Sequence, residues 1–585
     1  MQDQRNFILF ILISFGLLMT YQFFVPEVDP TVEEQQIQQP AIGPENLAAG
    51  EIAPPAPAAA GVDGSTPLPT AQPVASAPRD RGAVIGESDR IEIRSSKLSG
   101  SIRLKGGRID DLMLLGYHVD LDENSPYVTL LSPAGTANPY FADFGWISTT
   151  GSNQGLPNPG TVWRADRTVL EPGTPVTLTW DNGAGLTFTR VYTLDENYML
   201  DVVQRVENRT GQPVNIQPYG VVDRTGTPDV LGFFILHEGL LGVLGGELKE
   251  VDYDDIQDDP VAPISSTDGW LGITDKYWLM ALIPEQGKAF TGEYSYLKHN
   301  NRDRYRTSAV HGLPPVESGA VAETTTHLFA GAKVSALIDG YAETLNIKNF
   351  DRAIDWGWFY WLTRPLFWLL MQLQGLVGNF GVAILLVTVL IKAAFFTLAN
   401  KSYVAMSKMR KVQPKMKEIQ EKFKDDQQKQ REAMFKLYQD EKVNPVSGCL
   451  PMLVQIPVFF ALYKVLFVSI EMRHAPFFGW VKDLSAPDPL LITNLFGLIP
   501  FDPPTFLAIG LWPVLMGLSM WGQQKLNPAP PDKIQARIFM FLPILFTFML
   551  AGFPVGLVIY WTWNNVLTIA QQWVIMKRHG AFDND

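Results

Sequence analysis

The last third of the chain holds five stretches that are apolar over nearly their whole length, a pattern that predicts membrane-spanning helices. An α-helix needs about 20 consecutive apolar residues to cross a hydrocarbon core of about 30 Å. Between the second and third stretches, Leu490 to Phe501 is apolar but too short to span, and it is predicted to be re-entrant or interfacial. The predicted spans within this core, 379–585, are residues 379–399, 448–468, 505–524, 537–553 and 555–576.

The chain begins with another apolar segment, Phe7 to Val25, which follows Arg5. The segment is longer than the apolar core of a signal peptide, and no small-residue cleavage pattern comes directly after it. We therefore predict an uncleaved anchor helix over residues 1–25 with its N-terminus in the cytoplasm; a cleaved signal peptide is the alternative. Residues 26–82 are rich in Pro, Ala, Gln and Glu, which predicts a flexible tether outside the membrane.

Residues 83–350 change to short runs in which polar and apolar side chains alternate between turn residues, a pattern typical of antiparallel strands. The clearest case is VTLTW, then Asp181-Asn182-Gly183, then LTFTRVYTL, which predicts a β-hairpin. We predict two antiparallel sheets packed as a sandwich. His118, His237 and His311 show no metal-ligand spacing, and no nucleophile motif is present, so no metal, cofactor or catalytic residue is predicted.

Residues 351–378 are crowded with Trp and Tyr, carry Arg364, and predict an amphipathic helix at the membrane interface. The alternative is a further spanning helix, and the charge of a later loop decides between them. Residues 401–445 hold 12 Lys and Arg against 7 Asp and Glu, and such loops stay in the cytoplasm. The aromatic segment and the β domain are therefore expected outside, and both termini inside.

The two halves of the chain carry opposite charge. Residues 26–350 contain 43 Asp and Glu against 23 Lys and Arg, whereas the rest of the chain has an excess of Lys and Arg. An acidic block of this size would repel phosphate backbones, so direct nucleic-acid recognition is not expected. The only cysteine is Cys449, so no disulfide framework supports the exported domain.

The basic loop, taken as residues 400–446, has a helix-forming composition with a break near Asp425 and Asp426, which predicts a cytoplasmic helical hairpin. A row of apolar residues spaced three or four apart could be an adaptable surface for apolar partners or the packing seam of the hairpin itself. The members of that row are Met406, Met409, Met416 and Phe423.

Lys392 lies inside the first predicted span of the core. An ionisable side chain at such a depth costs about 2.5 kcal/mol or more, so it usually faces a polar interior and marks a functional site. Snorkelling is the alternative, but the basic end of the span is about 10 Å away along the helix. Lys464 lies near the outer end of its span and is expected to snorkel.

Other polar or amphipathic side chains recur in these spans, and together with Lys392 they would line a wet, positively charged cavity. Thr388 is four residues from Lys392 and therefore shares its helix face. Such groups also serve as contacts between helices, which is the simpler interpretation for some of them. The candidate groove residues are Lys392, Thr388, Gln455, Tyr560, Trp561 and Asn564.

Several long motifs, in order, resemble the YidC membrane protein insertase family of Gram-negative bacteria, within the YidC/Oxa/Alb superfamily. They are the GNFG start of the Lys392 helix, NPVSGCLPMLVQIPVFFALYKVL, EMRHAPFFGWVKDLSAPDP and FPVGLVIYWTWNN. The resemblance implies a periplasmic β-supersandwich, a five-helix core in the inner membrane, and a hydrophilic groove open to cytoplasm and lipid. It also implies insertion and folding of nascent membrane proteins without ATP, alone or with the Sec translocon, and the ribosome is a further candidate partner.

Two positions depart from the pattern of the family. Many relatives carry Arg where this chain has Lys392, and a Tyr pair where it has Tyr560 and Trp561. Lysine keeps the charge but not the bidentate geometry of a guanidinium. The alternative function is a secondary transporter with Lys392 as a substrate or proton site, for which inverted repeats and acidic relay residues would be expected. The spans contain no acidic residue, and no such repeat is evident.

Overall fold

The structure is a computed structural model that describes residues 78–150, 155–230, 236–299, 301–424, 426–441, 450–501, 503–504, 507–527 and 533–579. The predicted anchor and the predicted tether up to residue 77 lie outside these ranges. The chain divides into two compact units, and nearly all described residues belong to the unit formed by Gly64–Asp229 and Ile235–Asp585. This unit contains a β domain followed by a helical domain.

The β domain is built from two sheets. In the described ranges its strands are β1 (Arg90–Arg94), β2 (Leu98–Arg103), β3 (Arg108–His118), β4 (Tyr127–Leu131), β5 (Tyr140–Ser148), β6 (Arg164–Ala165), β7 (Val169–Leu170), β8 (Val176–Asp181), β9 (Leu186–Leu194), β10 (Met199–Asn208), β11 (Ile216–Thr225), β12 (Gly239–Leu244), β13 (Glu247–Asp252), β14 (Ile264–Ser266), β15 (Gly269–Thr274), β16 (Trp278–Pro284), β17 (Phe290–His299), β18 (Arg302–His311) and β19 (Val321–Ala332).

The ten-stranded sheet has the order β14-β17-β18-β11-β5-β3-β2-β1-β7, with β4 paired to β3, and the nine-stranded sheet has the order β13-β12-β15-β16-β19-β10-β9-β8-β6. The β1–β7 pair is parallel, and the other strand pairs are antiparallel. The predicted sandwich is confirmed. The predicted hairpin is also confirmed, because Asp181 pairs with Thr187 and the intervening Gly183 has a φ of 69°.

The sheets face each other across a core of large apolar side chains. Gly220 lies at a close approach within this core, because a Cβ there would be 3.0 Å from Phe144 and 3.1 Å from Leu282 of the opposite sheet. The side chain of Gln204 donates across the sandwich to the carbonyl of Gly145 at 2.7 Å. Apolar burial and a few satisfied polar groups therefore stabilise the domain without a disulfide.

Charged side chains on the ten-stranded sheet are buried in pairs. Asp223 of β11 is fully buried and accepts hydrogen bonds from Arg304, at 2.6 Å to each carboxylate oxygen, and from Arg306 at 2.9 Å. The neighbouring pair, Arg108 and Asp143, is joined at 3.0 Å. Buried charges of this kind persist only where each one is paired, so these residues depend on one another.

The histidines of the β domain lie apart from one another. His118 contacts the carbonyl of Ser125 at 2.7 Å, and His311 is buried beside the hydroxyl of Thr326 at 2.8 Å. Burial lowers the pKa of His311 to about 4, so it is neutral near pH 7. Among the described residues, no three His, Cys, Asp or Glu side chains form a group that could hold a metal ion.

Most of the helices come after the β domain in the sequence. Within the described ranges they are α1 (Arg81–Ile85), α2 (Asp255–Asp258), α3 (Ser335–Thr344), α4 (Tyr360–Val377), α5 (Phe380–Ala394), α6 (Phe396–Lys422), α7 (Gln427–Asp440), α8 (Leu450–Val468), α9 (Leu511–Leu526), α10 (Lys533–Met549) and α11 (Val555–Arg578). Short 3₁₀ turns occupy Phe350–Ala353, Ile470–Met472 and Leu550–Gly552.

Taken one at a time, none of the helices in the described ranges is both long and apolar enough to cross a membrane. As a pair, α5 and α6 meet that criterion across a bend of 68°. Val454–Val468 and Ala536–Gly552 are shorter apolar helices.

Two helix ends lie five or more residues from the predicted ends of the spans. The first span was expected to run to residue 399, but α5 ends at Ala394 and the chain bends at Phe395. Neither Pro nor Gly lies at this bend, so no local signal in the sequence marks it. The third span was expected from residue 505, but α9 begins at Leu511, because Gly510 is extended and the N–H of Trp512 donates to Asp488 at 2.7 Å.

The segment predicted as an interfacial helix contains α4. Its outward face carries Trp361 and Trp368, and Trp358 just before it is 92% exposed. The opposite face buries apolar residues, and Arg364 donates to both carboxylate oxygens of Asp339 at 2.9 Å. The helix is therefore amphipathic and is held against the end of the β domain.

Lys464 of α8 joins the helical domain to the β domain. Its ammonium lies 2.6 Å from the carboxylate of Asp355, which also accepts from the N–H of His237 at 3.2 Å. The Lys464 side chain is only 12% exposed. The expectation that Lys464 snorkels to water is therefore wrong, because a carboxylate from a distant part of the chain lies within reach and pairs with the ammonium.

Two further polar contacts lie at the same junction. The carboxylate of Glu471 accepts from the N–H of Ser335 at 3.1 Å, and burial raises the pKa of Glu471 above its ordinary value. Arg473 donates to the carbonyl of His118 at 2.6 Å. The residues after α8 thus contact both the end of β3 and the start of α3.

His237 should make this junction sensitive to pH. Its two ring nitrogens lie 2.9 Å from a carboxylate oxygen of Asp252 and 2.9 Å from the carbonyl of Leu240, and only a protonated imidazole can donate to both. Burial opposes the charge, but these hydrogen bonds and the charge of Glu250 outweigh burial and raise the pKa of His237. The resulting stabilisation is fully present below about pH 6.5, the unfolded value, and is lost as pH rises through the folded-state pKa.

We therefore expect amide hydrogens of β12 and β13 to be better protected from exchange at about pH 6 than at about pH 8, after correction for intrinsic exchange rates. Asp252→Asn should remove most of this difference. Equal corrected protection at both pH values in the unmodified protein would contradict the assignment.

Candidate functional site

The first element of the site is α5, and a side chain at its N-terminus caps its first turn. Asn379 caps the helix, with its side chain accepting from the N–H of Val382 at 3.0 Å. Thr388 is buried, and its hydroxyl donates to the carbonyl of Ile384 at 2.7 Å within the same helix. The structure therefore places Thr388 one turn before Lys392, with its hydroxyl engaged by its own backbone.

Lys392 lies in the last turn of α5 and points to α11. Its ammonium donates to the hydroxyl oxygen of Thr568 at 2.9 Å. That hydroxyl in turn donates to the carbonyl of Asn564 at 2.7 Å, which leaves its lone pair free for the ammonium. Thr568 is buried and Lys392 half-buried, so this contact fixes the charge between α5 and α11.

No carboxylate in the described part of the chain lies within ion-pair distance of the Lys392 ammonium. A neutral hydroxyl satisfies one of its three N–H donors. A cation placed between apolar helices without a counter-ion attracts an anion strongly, because the surrounding dielectric is low. The arrangement suits reversible binding of an acidic group.

Gln455 of α8 and Tyr560 of α11 form a second polar contact. The Gln455 amide donates to the Tyr560 hydroxyl at 2.8 Å, and Phe459 stacks near the Tyr560 ring with centroids 6.5 Å apart. Tyr560 is 2% exposed. It therefore contributes to the packing between α8 and α11, and its ring does not line an open surface.

Trp561 points in a different direction from its neighbour. Its ring lies 4.6 Å from that of Phe459 and 5.4 Å from that of Phe546, and it packs on a cluster with Met516 and Leu550. Adjacent residues on a helix diverge by about 100°, which separates the two aromatic side chains. The structure therefore does not bring Tyr560 and Trp561 together as one pair of groove contacts.

Thr568 and Gln572 of α11 were missed from the sequence, whereas Asn564 was predicted. Asn564, Thr568 and Gln572 follow one another at intervals of four and so lie on one helix face. Gln572 donates to the side chain of Asn527 at 3.0 Å. The spacing of four was the signal that would have identified Thr568, because a polar row of this kind on an apolar helix indicates an inward face.

Asn565 and Trp563 of α11 make two more contacts, with different helices. Asn565 donates to the hydroxyl of Ser519 at 2.9 Å, which links α11 to α9. The indole of Trp563 donates to the carbonyl of Leu385 at 3.2 Å, which links α11 to α5. α11 is therefore the element against which the other helices of the site are positioned.

Two helices, α6 and α7, occupy the segment predicted as a hairpin. Asp426 caps α7 by accepting from the N–H of Lys429 at 3.0 Å. The residues of the apolar row lie in three places. Met416 is buried with Val412 between α6 and α7, where Met409 also packs; Met406 packs on Tyr403 and Ile575 near the end of α11; Phe423 lies at the end of α6.

Met409 and Met416 therefore belong to the seam of the hairpin, the simpler of the two interpretations of that row.

Replacing Thr568 should weaken the contact between α5 and α11. Thr568→Val removes the hydroxyl that receives the Lys392 ammonium and is expected to lower the stability of the helical domain by about 1–2 kcal/mol, the size of a hydrogen bond between helices in lipid. Thr568→Ser keeps the hydroxyl and serves as the matched control. The measurement is unfolding of the purified protein in mixed micelles by increasing denaturing detergent, and equal stability of the Val and Ser variants would refute the role of the contact.

Comparison with known proteins gives consistent matches along the chain. Residues 90–369 match a family model described as YidC periplasmic domain, and residues 372–581 match one described as 60Kd inner membrane protein. The chain is 49% identical to "Membrane protein insertase YidC" of Methylorubrum extorquens, over 99% of this chain and 96% of that protein. It is 46% identical to the protein of the same name from Bradyrhizobium diazoefficiens, over 100% of this chain and 98% of that protein.

A solved structure described as "Active YidC insertase crystal structure with the first transmembrane domain resolved" aligns with 83% of this chain and 92% of its own chain. The sequence identity is 19% and the TM-score is 0.35.

Proposed function

The chain belongs to the YidC family of membrane protein insertases, and on that premise we propose that it inserts nascent membrane proteins into the bacterial inner membrane by way of Lys392. The uncompensated ammonium between α5 and α11 is the observation that supports the proposal. An acidic or otherwise polar substrate segment enters from the cytoplasmic side, is attracted to Lys392 and remains hydrated part of the way across. The adjoining apolar segment then moves into lipid.

The energetics of this route follow from elementary electrostatics and burial. Two opposite charges 4 Å apart attract by about 4 kcal/mol at an effective dielectric constant of 20. Transfer of apolar surface from water contributes about 25 cal/mol per Å², so a spanning segment supplies the larger driving force. Lys392 shortens the distance that the polar segment must cross without water, and the apolar segment then enters the lipid.

Thr568 holds the ammonium in place until substrate arrives. A carboxylate is a stronger acceptor for the ammonium than a hydroxyl, because it brings a full opposite charge to the hydrogen bond. The substrate can therefore displace Thr568 from Lys392. When the substrate leaves, the Lys392 ammonium returns to Thr568. This exchange needs no nucleotide or metal.

The proposed topology has the anchor of residues 1–25, the β domain and α4 outside, five spans, and the hairpin of α6 and α7 in the cytoplasm with both termini. Gln455, Tyr560 and Trp561 are assigned to packing around the groove, and Asn564 and Lys392 to its polar wall. The hairpin is proposed as the surface where substrate first arrives, alone or from a ribosome. The β domain and α4 are proposed to face partners such as the Sec translocon.

The transporter alternative receives no support from the described residues. The polar row of α11 contains Asn, Thr and Gln, and proton relays use acidic or histidine side chains. The relatives named above are insertases.

A photo-crosslinking experiment tests the proposal. A photoreactive residue at position 392 is expected to capture a nascent membrane protein with an acidic translocated tail. The matched control places it at Leu390, which is 46% exposed and lies on the opposite side of the same helix. Capture at 392 that is no stronger than at 390, or that does not depend on the acidic tail, would overturn the groove assignment.

A further inference from the structure

The loop between α8 and α9 carries an exposed apolar tip. From residue 489 to 501 its sequence is PLLITNLFGLIPF, without a charged side chain. Leu498 is 82% exposed, and the same tip exposes Leu495, Phe496, Ile499 and Phe501. So many adjacent apolar side chains on one short loop are unusual on a water-exposed surface and mark a contact with lipid or protein.

The backbone of this tip is already hydrogen-bonded to itself. The amides of Leu495, Phe496, Gly497, Leu498, Ile499 and Phe501 donate to carbonyls of residues 491–499 at 2.8–3.2 Å, and Pro500 has no N–H. A loop in water has no need to satisfy every amide internally, because water can do so. A segment at the boundary of the hydrocarbon must pair its amides within the protein, because an unpaired amide there is costly.

The tip is also held in one conformation. Leu495 and Phe496 have φ values of 50° and 62°, in the left-handed region that side chains other than Gly rarely adopt, and Gly497 follows with 86°. The side chain of Asn494 accepts from the N–H of Gly497 at 2.9 Å and closes this turn. Strained residues persist where the surroundings determine them and often mark function.

The base of the loop is attached to the first turn of α9. The buried carboxylate of Asp488 accepts from the N–H of Leu490 at 3.0 Å, from the N–H of Trp512 at 2.7 Å and from the indole of Trp480 at 3.0 Å. The N–H of Ile492 donates to the carbonyl of Ile509 at 3.0 Å. The tip therefore projects from the end of a proposed span.

We propose that Leu490–Phe501 is an interfacial wedge that inserts its apolar tip into the outer leaflet of the bilayer, at the boundary of head groups and acyl chains. Phe478 and Trp480 are exposed near the base, and aromatic side chains favour that boundary. A protein partner is a poorer fit, because the tip lacks the polar rim with which specific interfaces surround an apolar centre. The inference rests on the proposed topology, in which α9 begins outside, and not on Lys392.

Fluorescence in liposomes tests the wedge. The only native cysteine is Cys449, so Cys449→Ser with Phe496→Cys, and separately with Leu498→Cys, allows one environment-sensitive label at the tip of the full chain. Brominated acyl chains are expected to quench the tip label at least about twofold, as for residues 5–10 Å into the interface, while aqueous iodide has little effect. The matched control is Val321→Cys on β19, which is 46% exposed and should respond to iodide alone.

Each remaining outcome is decisive. Quenching of both tip labels by iodide, as at position 321, places the tip in water and overturns the wedge. Protection of the label from both iodide and bromine shows that protein, such as a second copy, covers the tip. This result also overturns the wedge. Labelling by a membrane-impermeant maleimide from the cytoplasmic face alone would refute the topology, whereas failed crosslinking at Lys392 with a quenched tip leaves the wedge standing.

Discussion

Lys392→Glu is expected to lower translocation of substrate tails that carry acidic residues by at least about tenfold, because an attraction of a few kcal/mol becomes a repulsion and 1.4 kcal/mol corresponds to tenfold. Lys392→Arg should retain activity within about threefold, since a point charge rather than a bidentate fork is required here. The measurement is protease protection of the tail after insertion into liposomes that contain each purified variant.

Two controls separate charge from other effects at this position. A substrate with a neutral tail should be far less sensitive to Lys392→Glu than one with an acidic tail. Lys392→Ser removes the charge and keeps a polar group, so a mild loss with Ser would indicate that hydration of the groove contributes more than attraction. Equal activity of the Lys and Glu proteins on acidic tails would end the electrostatic interpretation.

Asp223→Ala should be the most destabilising single change in the β domain, by about 3–5 kcal/mol. The substitution leaves Arg304 and Arg306 buried without a counter-ion, and the cost of an unpaired buried charge exceeds the contribution of the pair itself. The free energy of unfolding can be measured by chemical denaturation of the full chain in detergent, with the tryptophans as the signal.

The matched control is Asp201→Ala, because the Asp201 side chain is 42% exposed and contacts His327 at the surface. It should change the free energy of unfolding by less than about 1 kcal/mol. Replacing Asp223 with Leu together with Arg304 and Arg306 with Met should recover most of the loss, since apolar side chains of similar volume carry no desolvation penalty. A single Asp223→Ala variant as stable as the control would show that the arginines find other partners.

Much of the fold was accessible from local patterns. Alternation of period two predicted the strands, and the turn residues from Asp181 to Gly183 predicted the β8–β9 hairpin. Each depends on neighbours along the chain, because successive side chains of a strand point to opposite faces of its sheet whatever its partner is. The acidic domain and the basic loop were likewise evident from composition.

The pairing of strands and the ends of helices were not accessible in this way. The order of the two sheets brings β5 beside β11 and β10 beside β19, strands that are far apart in sequence. The start of α9 depends on Asp488, and the bend at Phe395 has no Pro or Gly to announce it. Such boundaries are decided by contacts that form only when distant segments meet.

The candidate site shows the same division between features that the sequence indicates and features that depend on the tertiary structure. Lys392 stands out in the sequence because a charge in an apolar helix is costly wherever the helix lies. Its partner Thr568 is marked only by its spacing of four from Asn564 and Gln572, since a threonine in a helix commonly bonds its own backbone, as Thr388 does. Tyr560 and Trp561 are adjacent in sequence and both lie near Phe459. Tyr560 also bonds Gln455, whereas Trp561 packs on the cluster with Met516 and Leu550.

The sequence by itself determined which environments are energetically costly for each segment. Apolar stretches must leave water, and Lys392 and Lys464 must not remain unsolvated charges. The tertiary structure decided how each requirement is met. Lys464 pairs with Asp355, whereas Lys392 has only a neutral hydroxyl as its described hydrogen-bond partner. The physical reason is that desolvation is a property of a residue and its local surroundings, whereas a partner at 3 Å depends on where the rest of the chain folds.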